Sequence, residues 1–493
     1  MTSGSTKPHI ISHAISLGTF NIITMVLGLI STVIIARHFS TEEFGIYTFV
    51  LVLVNFLSQI STFGLELSVS RFIAGTNDEL NKVQIFGTAF IVRLCAIFLA
   101  SLLAWYGSPL LRMLFGQSLL PNIIAYVPLL FAVESLRSLL KATLQGSLLF
   151  PRMGITDVIA GLLNLFLLIV VYLMRGDITL LILGRVFSSF VSCIFAFFSI
   201  PIRKKISFHI PAFKELMRFG FPLQLNDILG FIYNRIDTLA VAAFLGPADI
   251  AIYEVARKIP DYLRNLYDPF KAVYYPYISK RYALDGSSRA SKFTNDAVRF
   301  VSFVTLFGVV IATLFGREIL QLIFTDKYSS SAPVFVLLMI NLSLALISNV
   351  MGTTLVAVGE SKKPVIINFF NAIVSWAGSF LLSPLLGLMG AGIGNTLGTI
   401  VAFPLNRNFL RKKMELKDAP YLKPLFLSLL WGLLVYVVKP DSLLIKVVLL
   451  GVYVVASFML SIVTKDDLII LAEGSGITSW PIVHRLGLWI SRS

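Results

Sequence analysis

Residues 36–47 read ARHFSTEEFGIY, and residues 242–253 read AAFLGPADIAIY, at an offset of 206 positions. Both stretches end in Ile-Tyr, and both carry an acidic residue four positions before the tyrosine. A second echo follows in the same order, with the Gly146…Pro151 spacing returning as Gly359…Pro364. The two echoes predict a duplicated unit. Parallel repeats of this kind are a transporter architecture, in which substrate is held between the two halves.

Long apolar blocks flank both copies of this stretch. The chain of 493 residues is 56% hydrophobic and only 14% charged, whereas soluble domains are about 45–50% apolar and about 25% charged. The blocks are about 20 residues long, which is the length of a helix that crosses a bilayer. Because every backbone polar group must be hydrogen-bonded within lipid, we expect these blocks to be helices.

The apolar blocks predict an all-α membrane protein with about fourteen transmembrane helices. Each half of the repeat then contains six helices, and the even number inserts both halves with the same orientation. The predicted helices are 12–35, 43–64, 84–106, 121–146, 154–174, 178–200, 219–244, 248–278, 294–316, 330–357, 364–386, 388–409, 424–438 and 442–463.

Lysine and arginine residues concentrate in alternate loops, for example at 203–205 and 411–413. The positive-inside rule then places both termini in the cytoplasm. The net charge of +15 therefore reflects topology and attraction to anionic lipid headgroups, and we expect no binding of nucleic acid. The tail 465–493 has an amphipathic look and is expected to lie on the membrane surface.

The eighth predicted helix carries a stripe of charged residues. They recur at steps of three and four, which puts them on one face of a single helix, in a stripe about 25 Å long. The stripe consists of Glu254, Arg257, Asp261, Arg264, Asp268 and Lys271. Lys258 adds a further positive charge beside the stripe.

Two interpretations fit this stripe. In the first, the charges neutralise one another and the stripe packs against another helix. In the second, the stripe lines a water-filled cavity. The large number of charges favours the second interpretation, because burying ions away from water is costly. Subtracting 206 maps the stripe onto the second helix, where Asn55 and Gln59 form an uncharged polar face. Matching polar faces in both halves predict a central cavity.

Other helices carry charges that also need partners. Arg235 and Asp237 are two residues apart and cannot share a helix face, so each needs a partner from another helix or from water. Arg137 lies on a polar face of the fourth helix. Arg93 and Arg185 are single charges within apolar blocks, for which a structural partner or snorkelling is expected.

Cations outnumber acids inside the predicted helices, which favours an anionic substrate. Guanidinium groups bind phosphate through paired hydrogen bonds, and a pyrophosphate-linked lipid is one such substrate. The chain has no Walker A loop, no GxSxG or HExxH motif and no Cys/His cluster. We therefore expect a transporter that needs neither a cofactor nor a metal ion, and not an enzyme.

Three stretches resemble the polysaccharide export family, namely the Wzx-type O-antigen and oligosaccharide flippases of the multidrug/oligosaccharidyl-lipid/polysaccharide (MOP) exporter superfamily. The first is ARHFSTEEFGIYTFVLVLVNFLSQISTFGLELSVSRF at 36–72, and the second is NRIDTLAVAAFLGPADIAIYEVARKIP at 234–260. The third is VAVGESKKPVIINFFNAIVSWAGSFLLSPLLGLMGAGIGNTLGTI at 356–400. The three stretches occur in the family's order, and the resemblance extends over nearly the whole chain.

The resemblance implies a V-shaped fold of two six-helix bundles, 1–205 and 206–416, followed by two extra helices in 417–464 and a cytoplasmic tail, 465–493. It implies that polyprenyl-diphosphate-linked oligosaccharide crosses the cell membrane by alternating access. Cations in the central cavity would then bind the substrate. At the matching positions these cations are Arg235, Arg257, Lys258 and Arg264.

Other functions remain as alternatives. Relatives that flip lipid II use arginines in the first two helices, whose interiors carry none here, so an O-antigen, capsule or exopolysaccharide substrate is favoured. A cation-coupled multidrug exporter of the same superfamily would need an acidic cavity. A non-transport alternative is a scaffold or polymerase of a polysaccharide synthesis complex. Polymerases and glycosyltransferases are also candidate partners.

Overall fold

The computed structural model describes residues 6–107, 109, 126–202, 206–414 and 419–462. These residues are almost entirely helical, and no strand occurs among them. The helices are α1 (Thr6–His38), α2 (Thr41–Ser61), α3 (Leu65–Ala74), α4 (Glu79–Tyr106), α5 (Val127–Gly146), α6 (Phe150–Leu173), α7 (Ile178–Ser199), α8 (Ile210–Phe244), α9 (Pro247–Asn265), α10 (Tyr267–Ile323), α11 (Ala332–Ala357), α12 (Lys362–Met414), α13 (Leu422–Val438) and α14 (Leu443–Met459). The predicted surface tail 465–493 and the first residues of the predicted helix 121–146 lie outside the described ranges.

Eight helices in the described ranges are long and apolar enough to cross a bilayer, and α13 and α14 are shorter apolar helices. The protein is therefore an all-helical, multi-pass membrane protein. The count of fourteen crossings and the arrangement as two repeats remain predictions.

Two helices are too long for a single crossing and are interrupted at glycines. α10 has 57 residues and α12 has 53, whereas about 20 residues span the hydrocarbon core. Gly286 in α10 has φ 78° and Gly387 in α12 has φ 60°, a region that glycine enters without a side-chain clash. The predicted boundary between helices 364–386 and 388–409 coincides with the break at Gly387.

The two arms of α12 lie against each other as a hairpin around Gly387. The hydroxyl of Ser379 donates to the carbonyl of Ala391 at 3.0 Å. Near the middle of the arms, a β-carbon on Gly394 would collide with the backbone of Gly378 and Ser379. The absence of side chains at the two glycines therefore lets the arms approach backbone to backbone.

The link between α1 and α2 is stabilised by a capping box, which the sequence STEE at 40–43 indicates. The hydroxyl of Ser40 accepts a hydrogen bond from the amide of Glu43 at 3.1 Å, and the Glu43 carboxylate accepts from the amide of Ser40 at 2.9 Å. Because both donors would otherwise be unsatisfied at the helix start, this pair fixes where α2 begins.

The links α1–α2 and α8–α9 have the same length. α1 ends at His38 and α2 begins at Thr41, while α8 ends at Phe244 and α9 begins at Pro247. Both boundaries obey the offset of 206 that the sequence echo shows. The starts of α2 and α9 also touch, since a β-carbon on Gly45 would collide with the backbone of Pro247.

Two cations cap helix ends near these links. The guanidinium of Arg37 donates to the carbonyl of Ile323 at 3.1 Å, and the ammonium of Lys327 donates to the carbonyl of Phe39 at 2.9 Å. Ile323 ends α10 and Phe39 follows α1. A cation at the end of α1 therefore binds the carboxyl end of α10, and a cation that follows α10 binds the carboxyl end of α1. Cations at such ends are favourable because the last carbonyls are unpaired and carry partial negative charge.

The described residues form two compact units. The first contains the described residues among 6–258, 323–328 and 372–395, and the second contains those among 259–322, 329–371 and 396–462. The first unit has an apolar core built from α3, α4, α5 and α7, in which Phe86 and Leu139 are fully buried. In the second unit the end of α10 packs on α13 and α14 around Tyr453. The repeat-based division into 1–205, 206–416 and 417–464 remains a prediction.

Candidate functional site

Asp237 on α8 is the centre of a buried polar cluster in the first unit. Its carboxylate accepts hydrogen bonds from Arg257 at 2.5 Å, from the Tyr253 hydroxyl at 2.8 Å and from the Asn395 amide at 2.7 Å. The backbone amide of Thr238 donates a fourth bond at 2.8 Å. Since Asp237 and Arg257 are both buried, the opposite charges and the extra donors compensate the cost of removing them from water. We call these residues the Asp237 cluster.

A second group of ion pairs lies beside this cluster, between α8 and α9. The Glu254 carboxylate is 2.7 Å from the ammonium of Lys258, one turn along α9, and 3.7 Å from the guanidinium of Arg235 on α8. The Glu254 side chain is 6% exposed, whereas Arg235 and Lys258 are 31% and 24% exposed. A buried acid thus holds two partly exposed cations. We call the two cations, Arg235 and Lys258, together with the acid that holds them, the Glu254 cation pair.

Arg235 and Asp237 find their partners as the sequence predicted. Although they are two residues apart on α8, both pair with residues of α9, Arg235 with Glu254 and Asp237 with Arg257. Of the two predicted sources of a partner, another helix or water, the structure shows another helix for both residues. Tyr253 and Asn395 were not predicted as partners, and Asn395 lies 158 residues from Asp237 along the chain.

The predicted continuous helix 248–278 is wrong, because the structure ends α9 at Asn265 and begins α10 at Tyr267. Pro269, in the first turn of α10, favours the break. A proline inside a continuous helix would lose a hydrogen bond and clash with the carbonyl four residues earlier, whereas the first turn of a new helix tolerates it. The charged stripe is therefore divided. Asp261 and Arg264 belong to α9 and are half-buried, and Asp268 and Lys271 belong to α10 and are exposed.

The two interpretations of the stripe apply to different residues. Glu254 and Arg257 of the stripe are buried among helices of the first unit, and Arg257 pairs with the buried Asp237 of α8, so for these two the interpretation of a self-neutralised, packed face fits. Arg235 and Lys258 keep part of their surface exposed. The assignment of the predicted site residues to substrate binding remains a prediction.

Arg137 belongs to another charged cluster, which joins α5, α6 and α7. Its guanidinium contacts Glu134 at 2.5 Å and Asp157 at 2.9 Å. Lys141 binds the same Asp157 at 2.7 Å, and Arg185 lies 3.4 Å from Glu134. Three cations share two acids here, so the cluster carries one excess positive charge.

The predicted polar face of α2 is only partly involved in contacts between helices. Asn55 is exposed and Gln59 is half-buried. The backbone carbonyl of Gln59 accepts a hydrogen bond from the side chain of Gln224 on α8, which also accepts from the Thr62 hydroxyl and, at 2.9 Å, from the amide of Gly64. Gln224 thus ties α8 to the turn between α2 and α3, a contact that sequence reasoning missed.

Arg93 has the structural partners that its isolation in an apolar block predicted. It is fully buried on α4 and donates to Glu66 at 3.2 Å and to the Ser135 hydroxyl at 3.2 Å. Among the described residues, no group of three or more His, Cys, Asp or Glu is placed to hold a metal ion.

Comparison with known proteins gives the family. The sequence profile described as "Polysaccharide biosynthesis protein" matches residues 34–333, which include α8 and α9. The capsular polysaccharide biosynthesis protein CapF of Staphylococcus aureus is 22% identical over 391 residues, covering 78% of this chain and 94% of that protein. The lipopolysaccharide biosynthesis protein WzxC of Escherichia coli K12 is 25% identical over 394 residues, covering 78% of this chain and 76% of that protein.

Solved structures give the fold. The lipid II flippase MurJ in an inward closed conformation superimposes with a TM-score of 0.74 at 17% identity, covering 90% of this chain and 98% of that one. An inward-facing multidrug resistance MATE transporter of the MOP superfamily superimposes with a TM-score of 0.68 at 16% identity, covering 82% of this chain and 100% of that one. The chain therefore belongs to the polysaccharide biosynthesis protein family and has the fold of MOP-superfamily transporters.

Proposed function

We propose that this protein is a flippase for polyprenyl-diphosphate-linked oligosaccharide, the repeat unit of an O-antigen, capsule or exopolysaccharide. The substrate moves from the cytoplasmic to the outer leaflet of the cell membrane by alternating access, without a chemical step. Membership of the polysaccharide biosynthesis family supports the pathway. The MOP fold supports transport, and one relative, 24% identical, is named a putative O-antigen transporter of Shigella flexneri.

The Glu254 cation pair is the observation that carries the substrate class. Arg235 and Lys258 come from two different helices and are brought together by one buried carboxylate. Both cations are partly exposed, and a diphosphate presents several oxygens that can accept from a guanidinium and an ammonium together. Glu254 positions the two cations, and the Asp237 cluster holds α8 and α9 at the required separation.

The choice among transport substrates follows from charge. A multidrug exporter that binds cationic compounds would need exposed acids, whereas in this group the acid is buried and the cations are partly exposed. The remaining parts of the proposal are three. The charge of the loops supports cytoplasmic termini, and the sequence echo supports two repeated bundles. Membership of the polysaccharide biosynthesis family supports cooperation with glycosyltransferases or a polymerase.

The test uses the whole protein reconstituted in vesicles with a fluorescent lipid-linked oligosaccharide, whose appearance in the outer leaflet is followed by quenching. Each hydrogen bond to a charged group contributes about 1.5–3 kcal/mol. Replacing both cations, in Arg235→Gln/Lys258→Gln, should therefore raise the substrate concentration needed for half-maximal transport by at least about tenfold. Arg289→Gln is the matched control, since Arg289 is an exposed cation on α10.

Arg264→Ala adds a test in cells. We expect it to abolish complementation of a flippase-deficient strain while insertion into the membrane stays normal. Transport by Arg235→Gln/Lys258→Gln that equals transport by the control would remove the basis for the substrate class, and a parent protein that moves no lipid-linked sugar would refute the flippase function itself.

A further inference from the structure

A small cavity lies inside the first unit, where α1, α2, α6 and α7 meet. The centre of a water molecule has about 10 Å³ to move in there, so the cavity has room for one water molecule. Most of the lining is aliphatic, but two polar side chains belong to it, Tyr47 of α2 and Asn164 of α6. A cavity of this size with two polar groups is suited to a small ligand that forms hydrogen bonds.

Both polar side chains are buried and lack a hydrogen-bond partner. Tyr47 is 7% exposed and Asn164 is 8% exposed. Within the described part of the chain, no residue bonds to the Tyr47 hydroxyl or to the Asn164 amide. Since burying a hydroxyl or an amide without a partner is costly, such groups are nearly always satisfied by protein or by ordered water.

The sequence echo shows which partner Tyr47 lacks. The offset of 206 pairs Tyr47 with Tyr253, whose hydroxyl donates to Asp237 at 2.8 Å. The position that matches Asp237 is Ser31, and this serine does not belong to the lining of the cavity. The first copy therefore has a cavity beside its tyrosine and no carboxylate to accept from it.

The electrostatics of the cavity favour a neutral ligand. No charged side chain lines it, so an ion inside would be buried without a counterion in contact, which is costly. From a distance, Arg185 and Lys258 both act on the Tyr47 hydroxyl. Glu134 offsets one of these positive charges, and the charge that remains disfavours a cation.

We propose that the cavity binds one water molecule, which accepts a hydrogen bond from the Tyr47 hydroxyl and bonds to the Asn164 amide. Buried waters form two to four hydrogen bonds to polar groups that would otherwise be unsatisfied. The water does for Tyr47 what the Asp237 carboxylate does for Tyr253. It also links α2 to α6 within a lining that is otherwise apolar.

The first test detects the water through the tyrosine that it contacts. A brief X-ray pulse converts bound water into hydroxyl radicals, which oxidise the side chains beside it, and mass spectrometry measures the oxidation of each tyrosine. The whole protein is irradiated in detergent micelles. We expect oxidation at Tyr47 and none at Tyr253, the matched control, which is fully buried and bonds to protein directly. Absence of oxidation at both tyrosines would overturn the proposal.

A variant separates bound water from bulk solvent. Asn164→Leu removes one partner of the water and adds apolar volume to the lining, so oxidation at Tyr47 should be lost. Asn408→Leu is the matched control, since Asn408 is exposed on α12, and it should leave the oxidation at Tyr47 unchanged. Oxidation that persists in Asn164→Leu would come from bulk solvent and would refute the bound water.

The ligand itself is tested by changing the salt. Oxidation at Tyr47 should be the same in sodium chloride and in sucrose of equal osmolality, because a neutral ligand does not compete with ions. Oxidation that sodium chloride suppresses would assign the cavity to an ion and overturn the assignment to water.

The link between α2 and α6 is tested by a double-mutant cycle of unfolding. If one water bridges both side chains, removal of either partner weakens the bond to the other. Asn164→Leu should therefore change the unfolding equilibrium constant by at least about twofold less in Tyr47→Phe than in the parent. Effects that simply add would contradict a shared water.

Discussion

Removal of the Asp237 carboxylate should destabilise the first unit strongly. In Asp237→Ala the guanidinium of Arg257 keeps its hydrogen bonds to the Asn234 carbonyl and, at 3.0 Å, to the Thr238 hydroxyl, but it loses the carboxylate of Asp237 in a position that is only 3% exposed. Breaking a buried ion pair from one side costs about 3–5 kcal/mol. The Asn395 amide also loses its acceptor, so the upper half of that range is expected.

The reverse substitution should cost less. In Arg257→Met the Asp237 carboxylate keeps three donors, from Tyr253, Asn395 and the Thr238 amide, so the remaining charge is still hydrogen-bonded. The double variant Asp237→Ala/Arg257→Met removes both charges, and its cost should fall short of the sum of the single costs by about 2 kcal/mol or more.

The assay is a double-mutant cycle of unfolding free energies in detergent micelles, followed by tryptophan fluorescence. The matched control cycle uses Glu79→Gln and Lys82→Met, a pair with a similar separation of 2.7 Å whose acid is 69% exposed. Exposed pairs of this kind couple by about 0–1 kcal/mol. A coupling between Asp237 and Arg257 no larger than that of the control pair would refute the reasoning that the buried pair organises α8 and α9.

Three further predictions follow from individual contacts. Arg37→Gln/Lys327→Gln removes both helix-end caps, so hydrogen exchange of the amides in the α1–α2 link should speed up by about tenfold in mass spectrometry, and an unchanged rate would contradict the capping role. Gly394→Val forces the arms of the α12 hairpin apart and should lower the free energy of unfolding by about 3 kcal/mol or more. The loss of folded protein is measured by size-exclusion chromatography. Gly432→Val is the control, since the added carbon has open space there, and it should behave like the parent. Arg93→Ala should be less stable than Arg93→Met by about 2–4 kcal/mol, because the fully buried side chain leaves a cavity; equal melting temperatures would show that the site collapses.

Much of the fold could be predicted from local signals. Apolar blocks of membrane length gave the helices, and the offset of 206 gave two links that begin and end at matching positions. The glycine at 387 marked a boundary that the structure confirms. These features are readable because each depends on residues that are close together in the chain.

Other features needed information that a linear pattern does not hold. The helix α3 lies between the predicted helices 43–64 and 84–106, where no helix was predicted, yet its apolar face packs in the core of the first unit. The break after Asn265 did have a signal, Pro269, which the regular spacing of the charges obscured. Asn395 gave no local sign of its contact with Asp237, because long-range pairing is decided by packing.

The pairing of two charged residues was easier to predict than their exposure. The spacing of two residues between Arg235 and Asp237 indicated that each needs a partner elsewhere, and both have one on α9. The spacing could not tell which charged side chains are buried and which are partly exposed, because that depends on which helix lies opposite. The difference between Arg257, which is buried, and Lys258, which is partly exposed, arises from one step of about 100° around α9.

The glycine-lined hairpin of α12 has a mechanical consequence. Two helices in direct main-chain contact have few side-chain torsions between them to absorb displacement, so they should rotate as a single stiff lever. Since Asn395 attaches this lever to Asp237, a tilt of the hairpin is transmitted to α8 and α9 with little slack. A larger side chain at either glycine would separate the two helices and make the hairpin less stiff. The conformational cycle should then be slower even where the protein still folds.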